Sequence, residues 1–89
     1  MDYGLKGKNV LVTGSTKGLG EAIVRILAGE GANVIVSGRS EDLVKELSDK
    51  FRAEYGVNAV GIPADLGREG AAEKLFEESV TALGGLDIL

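Results

Sequence analysis

Short unbroken apolar runs alternate along this chain with longer stretches in which apolar side chains recur every three or four positions. A strand buried on both faces gives the first pattern, and an amphipathic helix, with its period of about 3.6 residues, gives the second. On this basis Val10-Leu11-Val12 centres a strand over 9–13, and Leu19, Ala22, Ile23, Ile26 and Leu27 form the inward face of a helix over 18–27. Gly29 and Gly31 stop that helix, because glycine takes the left-handed conformation at little cost. Val34-Ile35-Val36 centres a second strand over 32–37. Ser40 is placed as an N-cap, with Glu41 and Asp42 in the first turn to favour the helix dipole. Leu43, Leu47 and Phe51 step along one face of the helix that follows, and Gly56 ends it. A third strand over 58–62 is closed by Pro63. The last helix is expected over 68–83, with Ala72, Leu75, Phe76, Ser79, Val80 and Leu83 inward. Gly84-Gly85 break it, and Leu86-Asp87-Ile88-Leu89 begin a fourth strand.

The resulting βαβαβαβ order predicts an α/β domain with a parallel sheet and helical crossovers. Right-handed crossovers put the first two helices on one face and the third on the other, if the fourth strand returns beside the first. The predicted architecture is three-layered, α/β/α, with strand order 3-2-1-4. Its crevice lies at the C-terminal ends of the strands, where open α/β sheets bind ligands. There are no repeats, linkers or low-complexity segments, so residues 1–89 read as part of a single domain.

Composition narrows the chemistry. At 44% hydrophobic and 27% charged the chain is too apolar for disorder. Ten basic against 14 acidic side chains give a net charge of −4, which argues against a nucleic-acid partner. A small anion can still be held locally by backbone amides. The absence of Cys and His excludes thiolate and imidazole chemistry and leaves no metal site in view. No apolar stretch approaches the ~20 residues of a membrane span, and residues 1–8 are not followed by a signal-like core, so a cytoplasmic protein with no membrane partner is expected.

The most informative stretch is Thr13-Gly14-Ser15-Thr16-Lys17-Gly18-Leu19-Gly20, between the first strand and the first helix. There Gly14 allows a sharp turn, Gly18 lets a diphosphate approach the backbone, and Gly20 lets the helix pack closely. The free amides of the helix start then face the phosphates. A turn that merely reverses the chain is the competing reading, and the strand before and helix after it favour a ligand. A P-loop fails by inspection, since its second glycine falls on Leu19 and Gly20 is followed by Glu21. The Gly-x-Gly-x-x-Gly pattern begun at Gly18 fails at Ile23.

Thr13-Gly14-x-x-x-Gly18-Leu19-Gly20 resembles the Thr-Gly-x-x-x-Gly-x-Gly signature of the short-chain dehydrogenase/reductase family. Asp65-Leu66 looks like that family's acidic-apolar pair that brackets the adenine, and Gly85-Leu86-Asp87-Ile88-Leu89 like its fourth strand. The resemblance covers essentially the whole chain. It implies the N-terminal part of a Rossmann-type dinucleotide-binding domain, from an oxidoreductase that moves hydride between a nicotinamide cofactor and a small carbonyl or alcohol substrate. It also implies that the catalytic Tyr, the Lys four residues later, and the Ser and Asn that complete the site lie beyond Leu89, so no residue here is assigned a catalytic role. Tyr3 and Tyr55 have Gly7 and Ala59 where that Lys would stand, and are read as packing residues. The resemblance further implies a homo-oligomer for the full-length parent, built through later helices. Reduction of 3-oxoacyl thioesters and oxidoreduction of sugars, steroids or small ketones would look alike in this portion.

The second strand ends Val36-Ser37-Gly38-Arg39-Ser40. An NAD enzyme usually carries an acid there for the ribose 2′-hydroxyl. Gly38 stands in its place, and the Arg39 guanidinium offers a fork of donors to a 2′-phosphate. Lys17 adds positive charge, and Ser37 and Ser40 add hydroxyls. NADP(H) is therefore preferred, with NAD(H) use left open. The cofactor-binding candidates are Gly14, Ser15, Thr16, Lys17, Gly18, Leu19, Gly20, Gly38, Arg39, Ser40, Asp65 and Leu66. Ser15 and Thr16 serve the turn as well as any phosphate, and Asp65 reads equally as a helix N-terminal acid or an adenine contact. Lys6 and Lys8 are read as solvated. Three functions stay open: the front portion of an NADP(H)-dependent oxidoreductase, a stand-alone non-catalytic nucleotide-binding module, and a family member completed by a partner chain.

Overall fold

Val34, Ile35 and Val36 are all fully buried, which three consecutive β-branched residues achieve only in a sheet covered on both faces. The computed structural model describes residues 6–15 and 18–87. In order, they form β1 (Asn9–Val12), α1 (Gly18–Gly29), β2 (Asn33–Gly38), α2 (Glu41–Tyr55), β3 (Ala59–Pro63) and α3 (Ala71–Leu83). The strands are parallel in the order β1-β2-β3, with Leu11 opposite Ile35 and Ile35 opposite Val60.

Because side chains alternate across a strand, the sheet sorts its residues into two layers. Val10, Val34, Val36 and Ala59 point to one face and meet Val24, Ala28 and Phe51 from α1 and α2. Leu11, Ile35 and Ile62 point to the other and meet Leu75 of α3. This is the predicted α/β/α layering. The N-terminal ends of the strands are joined by side-chain amides: Asn33 Nδ2 donates to Asn9 Oδ1 at 3.1 Å, and Asn58 N donates to Asn33 Oδ1 at 3.1 Å. Lys8 O accepts from Asn33 N, so by alternation Asn9 turns its backbone to the side away from β2. There Asn9 O accepts from Asp87 N, and Asn9 N donates to Asp87 Oδ2, both at 2.8 Å. Asp87 thus lies at the β1 edge, where the order 3-2-1-4 places a fourth strand. Leu86 and Asp87 themselves are not in a strand, and Ile88 and Leu89 lie outside the described residues.

The helix ends follow local chemistry. Ser40 Oγ accepts from Leu43 N, and Gly56, left-handed, donates its N–H to Arg52 O, so both ends of α2 are capped as expected. Gly20 sits so close to the strand it follows that an added Cβ would collide with the Gly14 carbonyl oxygen and stand 3.1 Å from Ser15 Cα. Arg25 links the two helices of the first layer: it hydrogen-bonds Glu21 at 3.2 Å and lies 5.5 Å above the Phe51 ring. The bond to Glu21, with a contribution from Tyr55, raises its pKa further and keeps the guanidinium charged. Tyr55 packs on Phe51, ring centroids 6.1 Å apart. Among the described residues no helix is long and apolar enough to cross a membrane.

Three predicted helix faces are corrected. In α1 the sheet takes Val24 and Ala28, with Leu27 half-buried, while Leu19 and Ile26 are 78% and 66% exposed and Ala22 and Ile23 face outward with them. The helix is apolar on nearly every side, so its periodicity does not single out one face. In α2, Val44, Ser48 and Phe51 are buried, Leu47 is half-buried and Leu43 is exposed. α3 begins at Ala71 rather than 68, because 65–71 are consumed by two turns in which Arg68 N donates to Asp65 O and Ala71 N to Arg68 O. Leu75 and Ser79 are its buried residues, Val80 and Leu83 are half-buried, and Ala72 and Phe76 are exposed.

The two phenylalanines give a direct test. Phe51→Ala is expected to cost about 3–5 kcal/mol of unfolding free energy, the range for a buried aromatic, and Phe76→Ala no more than about 0.5 kcal/mol. Urea denaturation followed by circular dichroism measures both. Gly20→Ala is expected to cost about 1–3 kcal/mol in the same assay, through crowding against the Gly14 carbonyl.

Candidate nucleotide-binding site

Parallel strands all end at the same edge of the sheet, so the segments that leave β1, β2 and β3 converge there. Between them is a cleft of about 560 Å³ lined by Gly14, Ser37, Gly38, Arg39, Ser40, Leu43, Ala64, Asp65, Leu66 and Gly67. Six of the sequence-predicted positions, Gly14, Gly38, Arg39, Ser40, Asp65 and Leu66, are therefore brought together. Gly18, Leu19 and Gly20 stand apart from that lining, in the first turn of α1. Thr16 and Lys17 lie outside the described residues.

The turn out of β1 is left-handed at Gly14, φ 58°, and again where α1 begins at Gly18, φ 62°. Among the described residues, an added Cβ at either would meet nothing within 4 Å. Glycine is thus required there by backbone conformation rather than by crowding from the described residues. Ser15, the next residue, is fully buried. Its N–H donates to Ser37 O at 2.8 Å, its hydroxyl donates to the same oxygen at 3.2 Å, and its Oγ accepts from Ser37 N at 2.8 Å. The glycine turn is thereby fixed to the end of β2. One residue further on, Gly38 O accepts from Ala64 N at 2.9 Å, which ties the second segment to the third.

Arg39 is exposed and, among the described residues, makes no ion pair. Ser40 Oγ accepts from Leu43 N at 3.3 Å, which leaves its hydroxyl proton to donate. Asp65 Oδ1 accepts from Gly67 N at 3.0 Å, and its Oδ2 lies 3.8 Å from Arg68 Nε. Since α3 starts at Ala71, Asp65 is not in its first turn, and the reading of this residue as a helix N-terminal acid is set aside. Its carboxylate shapes the 65–67 turn and borders the cleft. Lys6 and Lys8 are exposed, as expected, and Tyr3 lies outside the described residues.

Leu43 was missed by sequence reasoning, which set it on the inward face of α2. It lies three residues past the N-cap, and helical side chains lean toward the N-terminus, so the first turn of α2 presents it to the cleft. Leu43 and Leu66, 43% and 45% exposed, give the cleft apolar surface beside the polar groups of Arg39, Ser40 and Asp65. Such a lining suits a flat aromatic base carrying an anionic group. A second cavity, about 510 Å³, lies on the α3 side of the 64–67 segment, between Ile62 and Leu75, with Arg68, Lys74 and Glu78 around it.

Known proteins share this arrangement. Residues 8–89 match the short chain dehydrogenase family. The chain is 42% identical over 89 residues to a 3-oxoacyl-(acyl-carrier-protein) reductase of Aquifex aeolicus, covering all of this chain and 36% of that protein. It is 40% identical over 83 residues to a glucose 1-dehydrogenase of Gluconobacter oxydans, covering 93% of this chain and 31% of the relative. Among solved structures, L-sorbose reductase from Gluconobacter frateurii, complexed with NADPH and L-sorbose, superposes with a TM-score of 0.92 at 29% identity, over 99% of this chain and 34% of that one. An alcohol dehydrogenase from Thermococcus sibiricus, complexed with 5-hydroxy-NADP, gives 0.87 at 26% identity, over 93% and 36%. The chain spans about a third of the length of these relatives. With its glycine turn, its parallel sheet and a match that runs through all six elements, the chain belongs to the short chain dehydrogenase family.

Proposed function

We propose that residues 1–89 are the N-terminal part of one dinucleotide-binding domain, and that this part receives NADP(H) in preference to NAD(H). The domain would serve an oxidoreductase acting on a small carbonyl or alcohol substrate, of the 3-oxoacyl, sugar or simple alcohol kind. The observation that carries the reading is the meeting of the Gly14 turn with Arg39 and Ser40 in one cleft, with Gly38 where an acid would select NAD(H). That NADPH and 5-hydroxy-NADP accompany two of the similar structures supports it.

The residues fit the group by their chemistry. The turn from Gly14 to Gly20, including Thr16 and the backbone of Leu19, would hold the diphosphate at the start of α1. Arg39, Ser40 and Lys17 would hold the 2′-phosphate, and Asp65, Leu66 and Leu43 would border the adenine. When bound, the nicotinamide supplies or accepts the hydride, and this chain's residues bind and orient it. The remaining two thirds of a relative's length would supply the proton-transfer residues, the substrate pocket and the surfaces of a homo-oligomer.

Isothermal titration of the full-length parent with NADPH and with NADH tests the cofactor assignment. A charge-assisted hydrogen bond is worth about 1.5–3 kcal/mol, so NADPH is expected to bind at least about tenfold more tightly. Arg39→Asp is expected to reverse that order. Equal affinities in the unmodified, full-length parent would defeat the NADP(H) assignment.

A further inference from the structure

Ser15 follows the glycine whose turn faces the cleft, and Ser37 precedes Gly38 and Arg39. The two serines are 22 positions apart, both are buried, and three hydrogen bonds of 2.8–3.2 Å join them. Both donors of Ser15, its N–H and its O–H, are spent on Ser37 O, and its hydroxyl oxygen is taken by Ser37 N. Nothing is left on Ser15 to bind a phosphate directly. What it does hold is the distance between two segments that, on the reading proposed above, receive different anionic groups of one ligand.

We infer that Ser15 is a positioning residue for cofactor discrimination, setting the spacing between the diphosphate-binding turn and the segment that reads the 2′-phosphate. A ligand with both groups gains its second contact only if the two subsites are already at the right separation, because binding energy is otherwise spent on ordering them. A ligand that lacks the 2′-phosphate still meets the turn and the residues that border the adenine, but it has no contact with Arg39 to lose, so it depends less on that spacing. The Ser15 hydroxyl therefore acts on the preference through Arg39, without touching the ligand. The inference rests on the dinucleotide reading, and its test separates the two.

The test compares ADP-ribose 2′-phosphate with ADP-ribose, titrated calorimetrically against the unmodified full-length parent and its Ser15→Ala, Arg39→Ala and double variants. Partial unfolding lowers the apparent affinity for both ligands by the same factor and leaves their ratio unchanged. Loss of positioning lowers the ratio itself. In Ser15→Ala the preference for the 2′-phosphate is expected to fall by about fivefold or more, the lower end of coupling between sites. In the Arg39→Ala background the same substitution is expected to lower the ratio by a clearly smaller factor, since the main charged group it positions is gone and Ser40 alone remains on that segment. An unmodified parent that prefers the 2′-phosphate, with an equal ratio in Ser15→Ala, overturns the inference and leaves the cofactor reading standing. An unmodified parent with no preference overturns that reading. If Ser15→Ala leaves too little folded protein to titrate, Ser15→Cys fills the site with a slightly larger group that is only a weak donor and acceptor, and so weakens both hydroxyl bonds. An unchanged ratio there also overturns the inference.

Discussion

Parallel pairing through β2 is the constraint from which the rest of the structure follows. β2 is hydrogen-bonded on both sides and buried on both faces, so its neighbours must run in its direction and place helices above and below. Three parallel strands end at one edge, and the three segments that leave them are forced into proximity there. The cleft needs no insertion or lid. Ser15 on Ser37 and Ala64 on Gly38 join the segments in series, which turns three surface turns into one surface of fixed shape. At the opposite edge, Asn9, Asn33 and Asn58 do the equivalent for the strand starts.

On the proposed reading, this arrangement would let an acidic chain offer a site for an anion. The net charge of −4 works against phosphate at long range, but exposed charges more than about 10 Å apart are screened at moderate salt. What counts is the local set: amides at the start of α1, the Arg39 guanidinium, and a β2 end that carries Gly38 instead of a carboxylate. Asp65 is in the cleft as well, with Oδ1 accepting from Gly67 N and Oδ2 near Arg68.

How much of this the sequence disclosed depends on whether the cause is local. Strand cores such as Val34-Ile35-Val36, and the Ser40 and Gly56 caps, were legible because apolar runs and capping chemistry act within a few residues. The face of α1 was not, because Leu19, Ile23 and Ile26 match the helical period as well as Val24 and Ala28 do. Only contact with the sheet decides between them. The start of α3 was misplaced because the turns from Asp65 to Ala71 use the same polar residues that begin helices. At the site, residues on the strand-end segments were legible from the family's spacing. Leu43 was hidden by its helical periodicity. Ser15, read as serving the turn as well as any phosphate, is joined to a partner 22 positions away, for which no local pattern exists.

The central claim is that a dinucleotide lies across the ends of β1, β2 and β3, with its phosphates at the Gly14 turn. Amide chemical-shift mapping of the isotopically labelled chain with NADPH tests it most directly, because the alternative cavity lies on the other side of the 64–67 segment. The account predicts the largest shifts at Gly14, Gly18, Gly20, Arg39, Ser40, Leu43 and Leu66. Shifts concentrated at Arg68, Lys74, Leu75 and Glu78, with the glycine turn unmoved, would contradict it.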